Sequence, residues 1–323
     1  MSEASRSAEP TTEIRLYDSH AHLISDDPIR YPRNPFRIKP PADGQPAIPL
    51  PFGPGTIGIP GGMHGPDPVN EKPTAEQMRT WMAQENVCGI AAVQKGMIYG
   101  TDNSYIVDAA ALFPDRMAAV IIVDPQARET PQMMRDLAAR GAVSIRFFPI
   151  NVEDKAAWLQ TPAAMVVWTL ASELGLVVDL EAPPYDSGPM IPVIEKMADR
   201  FPDLPIVLDH VFMPTIADRD FGIGARFDGF AARPNISVKF TSLIMDVIRE
   251  QGFAPAAVLR RTVDVFGADR VMWGSDIGTS SGTYREMVHR AIAATALLDV
   301  AERRKVLHDT GRRIFAGWHA TAE

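Results

Sequence analysis

The chain has one cysteine, Cys88, among 323 residues, so no intramolecular disulfide can form. Cys88 lies in the apolar run Val87-Cys88-Gly89-Ile90-Ala91-Ala92-Val93. There it reads as a small buried side chain, because its sequence neighbours supply no electropositive setting for a thiolate. Basic residues are also scarce: 32 Lys and Arg stand against 40 Asp and Glu, a net charge of −8. That balance disfavours nucleic acid or an anionic membrane as a general partner. It leaves room for a small anionic organic substrate, since one arginine can dominate a pocket. No apolar run is long enough to cross a bilayer, and residues 1–10 lack the pattern of a secretory signal. The expected compartment is the cytoplasm, and the composition permits a homo-oligomer. No glycine-rich phosphate loop follows any apolar stretch, which argues against a doubly wound dinucleotide fold.

Apolar rhythm is what the chain does have. Strands are predicted at 14–19, 87–94, 117–123, 142–147, 176–181, 205–210, 236–240 and 270–274, with helical segments in between. Predicted helices include 74–86, 101–113, 129–140, 161–174, 187–201, a short one within 221–232, 254–266, 282–296, 299–308 and 310–316. Thr74 with Gln77 has the spacing of a helix-capping box. The strands are apolar along most of their length, as in a parallel sheet covered on both faces. Eight such units predict an α/β chain folded as a (β/α)8 TIM barrel. We assign 1–12 to a disordered tail and 13–318 to one barrel domain. Its insertion, 25–73, follows the first strand. Between Pro28 and Pro73 lie 13 of the 28 prolines and seven glycines, too many for a regular helix. Apolar residues within it suggest an ordered cover over one end of the barrel.

Active sites of such barrels lie at the C-terminal ends of the strands. Asp18-Ser19-His20-Ala21-His22 ends the first strand, and residues two apart project to the same side. His20 and His22 therefore suit a divalent metal or acid/base chemistry. The other tips carry Gln94, Asp124, Arg146, Glu181, His210, Lys239 and Asp276. Each also has a plain structural role open to it. Asp276 could cap a helix, and Glu181 could serve a solvated turn. His210 could be a satisfied core histidine, and Arg146 and Lys239 could pair with carboxylates. Asp124, before Pro125, reads as a turn former. His64 in the insertion and Tyr99 after the second strand are candidate substrate contacts. His289 and His308, in late helices, have no expected chemical role.

Three stretches carry a family resemblance: Asp18-Ser19-His20-Ala21-His22, Val207-Leu208-Asp209-His210 and Arg270-Val271-Met272-Trp273-Gly274-Ser275-Asp276. Together they resemble the amidohydrolase superfamily, in its amidohydrolase-2 branch. Within that branch the chain is most similar to the lactonases around 2-pyrone-4,6-dicarboxylate lactonase and 4-sulfomuconolactone hydrolase. The resemblance implies His20 and His22 as metal ligands and Asp276 as the acid that activates water. It implies His210 as the residue that polarises a carbonyl or assists proton transfer. Glu181 stands where the superfamily often has a histidine ligand, which gives a metal set of His20, His22, Glu181 and Asp276. The expected cofactor is one divalent metal, zinc or else manganese, although the branch also has metal-independent members. Arg146 replaces the lysine that bridges two metals in binuclear members, so a second ion is not expected. Arg146 and Lys239 offer anchors for a substrate anion.

The implied function is a hydrolase that opens the lactone of a small anionic substrate, such as one from aromatic-compound breakdown. The alternative is a metal-dependent decarboxylase or hydratase on the same barrel. A non-catalytic binding barrel is disfavoured by the joint presence of His20, His22 and Asp276.

Overall fold

The computed structural model describes residues 14–36, 71–181, 188–216 and 219–316. The tail at 1–12, most of the insertion and its His64 lie outside the described residues.

Eight parallel strands follow one another around a barrel: β1 (Leu16–His22), β2 (Val87–Val93), β3 (Met117–Val123), β4 (Ala142–Phe147), β5 (Val177–Leu180), β6 (Ile206–Leu208), β7 (Ile236–Thr241) and β8 (Val271–Gly274). Ladders join each strand to the next from β1 to β8. Closure is made just beyond β8. His22 N donates to Ile277 O at 3.1 Å, and Asp276 N to His20 O at 2.7 Å. Gly274 permits this approach: a Cβ there would lie 2.6 Å from His20 Cβ and 3.0 Å from its backbone nitrogen. No other residue type fits without moving β1.

Two apolar layers hold the barrel. The strands' outer faces pack on helices that include Pro162–Glu173, Ile191–Arg200 and Pro255–Phe266. Inside, Ala91, Val93, Val120, Val177, Val207 and Met272 form a second cluster, which Tyr17 and Phe315 join. These inward side chains are mostly small, so the interior is a filled core and not a pore. Thr74 and Gln77 make both bonds of the predicted capping box on the helix Ala75–Gln84.

Differences from the sequence expectations cluster at element ends. β1 runs through the histidine motif instead of stopping before it. A one-turn helix, Gly96–Tyr99, precedes Ser104–Leu112. The helix Ser242–Glu250 follows β7 directly; its apolar residues gave no break after the strand. The expected helix at 299–308 becomes Val300–Arg304 followed by a π-helical turn, Lys305–Asp309. Asp124 forms the expected turn, accepting from Gln126 N at 2.9 Å.

Candidate active site at the strand ends

β1 brings two imidazoles to the C-terminal mouth, and Asp18 fixes its course. The buried Asp18 carboxyl accepts from His20 N at 3.1 Å, Ser275 N at 2.8 Å and the Tyr284 hydroxyl at 3.2 Å. Burial raises its pKa to about 6, against the opposing pull of those bonds. β1 and the loop after β8 are thus tied together through one side chain.

His22 Nδ1 lies 2.9 Å from Val93 O. A carbonyl only accepts, so Nδ1 carries the hydrogen. Burial holds the ring's pKa well below its ordinary value, with Lys95 and Arg146 adding to the effect. The neutral ring therefore has its Nε2 lone pair free, and that atom lies 3.2 Å from Asp276 Oδ1. Two acceptors at that distance repel unless a cation lies between them. His20 Nε2, buried and without a hydrogen-bond partner, lies 3.6 Å from the same oxygen.

β6 ends at Leu208, and the chain then turns left-handed. His210, Val211, Phe212 and Met213 all have φ between 45° and 55°. Non-glycine residues rarely adopt this region, and a β-branched valine least of all. The turn sets His210 Nδ1 2.7 Å from Thr241 Oγ1 and Nε2 3.5 Å from Glu181 Oε2. Burial opposes charging this ring, but Glu181, with Asp276 and Asp209, outweighs it, so its pKa is raised.

Asp276 has φ of +52°, a conformation aspartate tolerates better than most residues. Its Oδ2 accepts from Ser280 Oγ at 3.3 Å. Among the described residues it is the one carboxylate beside the ring nitrogens of these histidines that has no Lys or Arg ion pair. Asp179 is held by Lys239 at 2.5 Å. Asp209 is held by Lys239 at 3.0 Å and by Arg146 Nε at 2.7 Å, and Glu181 by the Arg146 fork.

Several expected substrate contacts are therefore reassigned. Lys239 is fully buried beneath the histidines, between two aspartates and 4.9 Å above the Phe315 ring, so it does not face substrate. Arg146 is 3% exposed, with its fork spent on Asp209 and Glu181. Tyr99 is buried, and its hydroxyl accepts from Ser25 N at 2.8 Å. Glu181 does not join the metal set expected for it. One donor atom each from His20, His210 and Asp276 falls within 4.8 Å, whereas Glu181 groups with Asp209 and His210. His22 keeps its place beside Asp276.

Asp179, Asp209 and Lys95 were missed, and strand parity could have found them. Asp179 lies two residues before Glu181, and Lys95 two after Val93, so each shares its neighbour's inward side. Lys95 Nζ donates to Thr279 Oγ1 near Asp276. Burial of its ammonium lowers its pKa to about 8, although Asp276 and Glu181 favour the charged form.

The donor set fits one divalent ion. His20 Nε2 is an orphaned buried atom, and the His22 lone pair faces a carboxylate oxygen. Imidazole and carboxylate are ordinary ligands for such an ion.

A family model described as Amidohydrolase matches residues 17–317. The 4-sulfomuconolactone hydrolase of Hydrogenophaga intermedia is 27% identical over 230 residues, 68% of this chain and 71% of that protein. The L-fucono-1,5-lactonase of Burkholderia ambifaria is 29% identical over 186 residues, 54% of this chain; the chain thus spans only 60% of that relative's length. A solved Pseudomonas putida structure, described as a candidate 2-pyrone-4,6-dicarboxylic acid hydrolase, superposes with a TM-score of 0.67 at 20% identity. The superposition covers 94% of this chain and 98% of that one, and at this identity it bears on the fold alone.

Proposed function

The chain belongs to the amidohydrolase family, and from that premise we propose that it is a hydrolase that opens the lactone ring of a small anionic substrate, with Asp276 as general base. The observation that carries this reading is the freedom of Asp276. Asp179, Asp209 and Glu181 are each ion-paired to lysine or arginine, while the direct contacts of Asp276 are histidines and a serine hydroxyl, and nearby Lys95 is bonded to Thr279.

Hydrolysis of a cyclic ester needs a deprotonated water, an electrophile at the carbonyl oxygen and a proton for the leaving alkoxide. Asp276 takes the water's proton. His210, its pKa raised chiefly by Glu181 against burial, holds a proton at Nε2 for the carbonyl or leaving oxygen. Glu181 orients that ring, and Arg146 fixes Glu181. Lys95 supplies the positive charge that would meet the substrate's anionic group. His20, His22 and Asp276 are the residues that would hold a divalent ion, zinc by preference. When bound, such an ion acidifies water and polarises a carbonyl.

A panel of anionic and neutral lactones, assayed with and without chelator, tests the reading. Acid release on ring opening and carbon dioxide would be followed together. Ring opening without carbon dioxide is expected. Carbon dioxide release from a carboxylate substrate, with no lactone opened, would overturn it in favour of a decarboxylase.

A further inference from the structure

The opposite, N-terminal end of the barrel holds a cavity of about 370 Å³, within the size range of small-ligand pockets. Its wall carries Arg15 just before β1, Arg116 just before β3 and Arg312 in the helix Thr310–Phe315. These three guanidinium groups stand against one lining carboxylate, Asp115. Arg116 donates to Cys88 O at 3.2 Å, and none of the three has an ion pair among the described residues. Elsewhere arginines such as Arg233 and Arg260 are spent on carboxylates. Cys88, expected to be buried, is partly exposed and lines the same cavity.

Tyr17 also lines the cavity, and its ring is gripped by two glycines. A Cβ on Gly89 would lie 2.8 Å from Tyr17 Cε2, and one on Gly311 would lie 2.9 Å from Cδ1. No larger residue at either place leaves the ring where it is. Tyr17 is 3% exposed, yet its hydroxyl has no hydrogen-bond partner among the described residues. Buried hydroxyls are as a rule hydrogen-bonded, and the cavity is where a partner can stand. Burial raises the phenol's pKa, against the pull of Arg312, so the group stays protonated and can donate. A phenol and three guanidinium groups around one cavity match an anionic acceptor. The Phe315 ring and Met117 add apolar wall.

We propose that this cavity binds a small organic dicarboxylate, with Arg15, Arg116 and Arg312 meeting its carboxylates and the Tyr17 hydroxyl donating to one of them. The arginines arrive from three separate chain segments, which suits two anionic groups held apart. Guanidinium matches carboxylate as a two-pronged donor. A carbon body between the carboxylates would cover Phe315 and Met117, which a compact inorganic ion would leave wet. The chain's net charge of −8 repels anions overall, so capture here depends on the local arginines. The site does not rest on the hydrolytic reading, because none of its residues lies at the C-terminal mouth.

Titration calorimetry on the full chain tests this with isophthalate, benzoate, neutral isophthalamide and inorganic phosphate. Isophthalate should bind saturably, benzoate at least about tenfold more weakly, and the diamide and phosphate without saturation in the same range. Two variants locate the site. Tyr17→Phe keeps the ring between its glycines and strands no partner, so it should unfold at the parent's urea concentration while binding isophthalate about tenfold more weakly. Arg312→Gln, at an exposed position, should weaken binding by about the same factor. Cys88 is the single thiol, so its alkylation by neutral iodoacetamide, counted by intact mass, should slow as isophthalate fills the cavity. Absence of saturable isophthalate binding would overturn the proposal. So would isophthalate binding that Arg312→Gln leaves unchanged, which would move the ligand elsewhere, whether or not Tyr17→Phe folds. Phosphate bound as tightly as isophthalate would overturn the dicarboxylate assignment.

Discussion

Replacing Asp276 with asparagine separates the roles of this residue more cleanly than any other change. The amide keeps the shape, and asparagine tolerates the observed φ of +52° as well as aspartate does. The backbone bonds from Asp276 N to His20 O, and from Thr279 N and Ser280 N to Asp276 O, are untouched. The amide oxygen can still accept from Ser280 Oγ. At the other position, an amide N–H would point at His22 Nε2, now 3.2 Å from Oδ1. A repulsive pair of acceptors would become a donor–acceptor pair, worth about 0.5–1.5 kcal/mol. The metal-free variant should therefore be as stable as the parent, or more stable by about 1 kcal/mol. Its turnover should fall by about 10²–10⁴-fold, the contribution of a positioned base, or about 2.7–5.5 kcal/mol of barrier. Urea unfolding with chelator present reads the first quantity, and acid release from a lactone reads the second. Turnover within threefold of the parent would refute Asp276 as base. Destabilisation by more than about 2 kcal/mol, with chelator present, would refute the acceptor–acceptor geometry on which the stability argument rests.

Lys239→Met should cost about 3–5 kcal/mol in urea unfolding, because it leaves Asp179 and Asp209 buried without their shared cation; a cost below about 1 kcal/mol would return Lys239 to a solvated role. Tyr99→Phe should lower stability by about 1–3 kcal/mol through the stranded Ser25 amide, while kcat/KM changes less than threefold. A selective rise in KM would instead make Tyr99 a substrate contact. Metal analysis should find no more than one divalent ion per chain, and His20→Ala should abolish its retention through dialysis.

The barrel was legible in the sequence because its strands are continuous apolar runs and its caps are local. Thr74 and Gln77 form a helix start that depends on four residues and nothing distant. The site was legible as a set of strand tips but not as a set of partners. Arg146 and Lys239 look alike in sequence, each a cation in an apolar strand. Which way each charge is spent depends on Asp179 and Asp209, which arrive from β5 and just beyond β6. Those partners are fixed by the closing of the barrel, and no spacing along the chain encodes that. The left-handed run from His210 to Met213 left no trace either, since it contains no glycine. Its cost, on the order of 1–3 kcal/mol per residue, is met by the surrounding packing.

The buried charges explain why a site so rich in acids can keep one of them available. Asp179, Lys239, Asp209, Arg146 and Glu181 form a continuous chain of ion pairs across the barrel floor. Each acid in it is held by a cation that cannot move without stranding another charge. Glu181, fixed at the end of the chain, sets the His210 ring, while Asp209 lies 3.3 Å from His20 Nδ1. The cations thus serve the imidazoles through the acids, and none of them reaches Asp276. An arginine placed against Asp276 would quench the base. Placed against Glu181 and Asp209, it leaves the base free and fixes the groups around it.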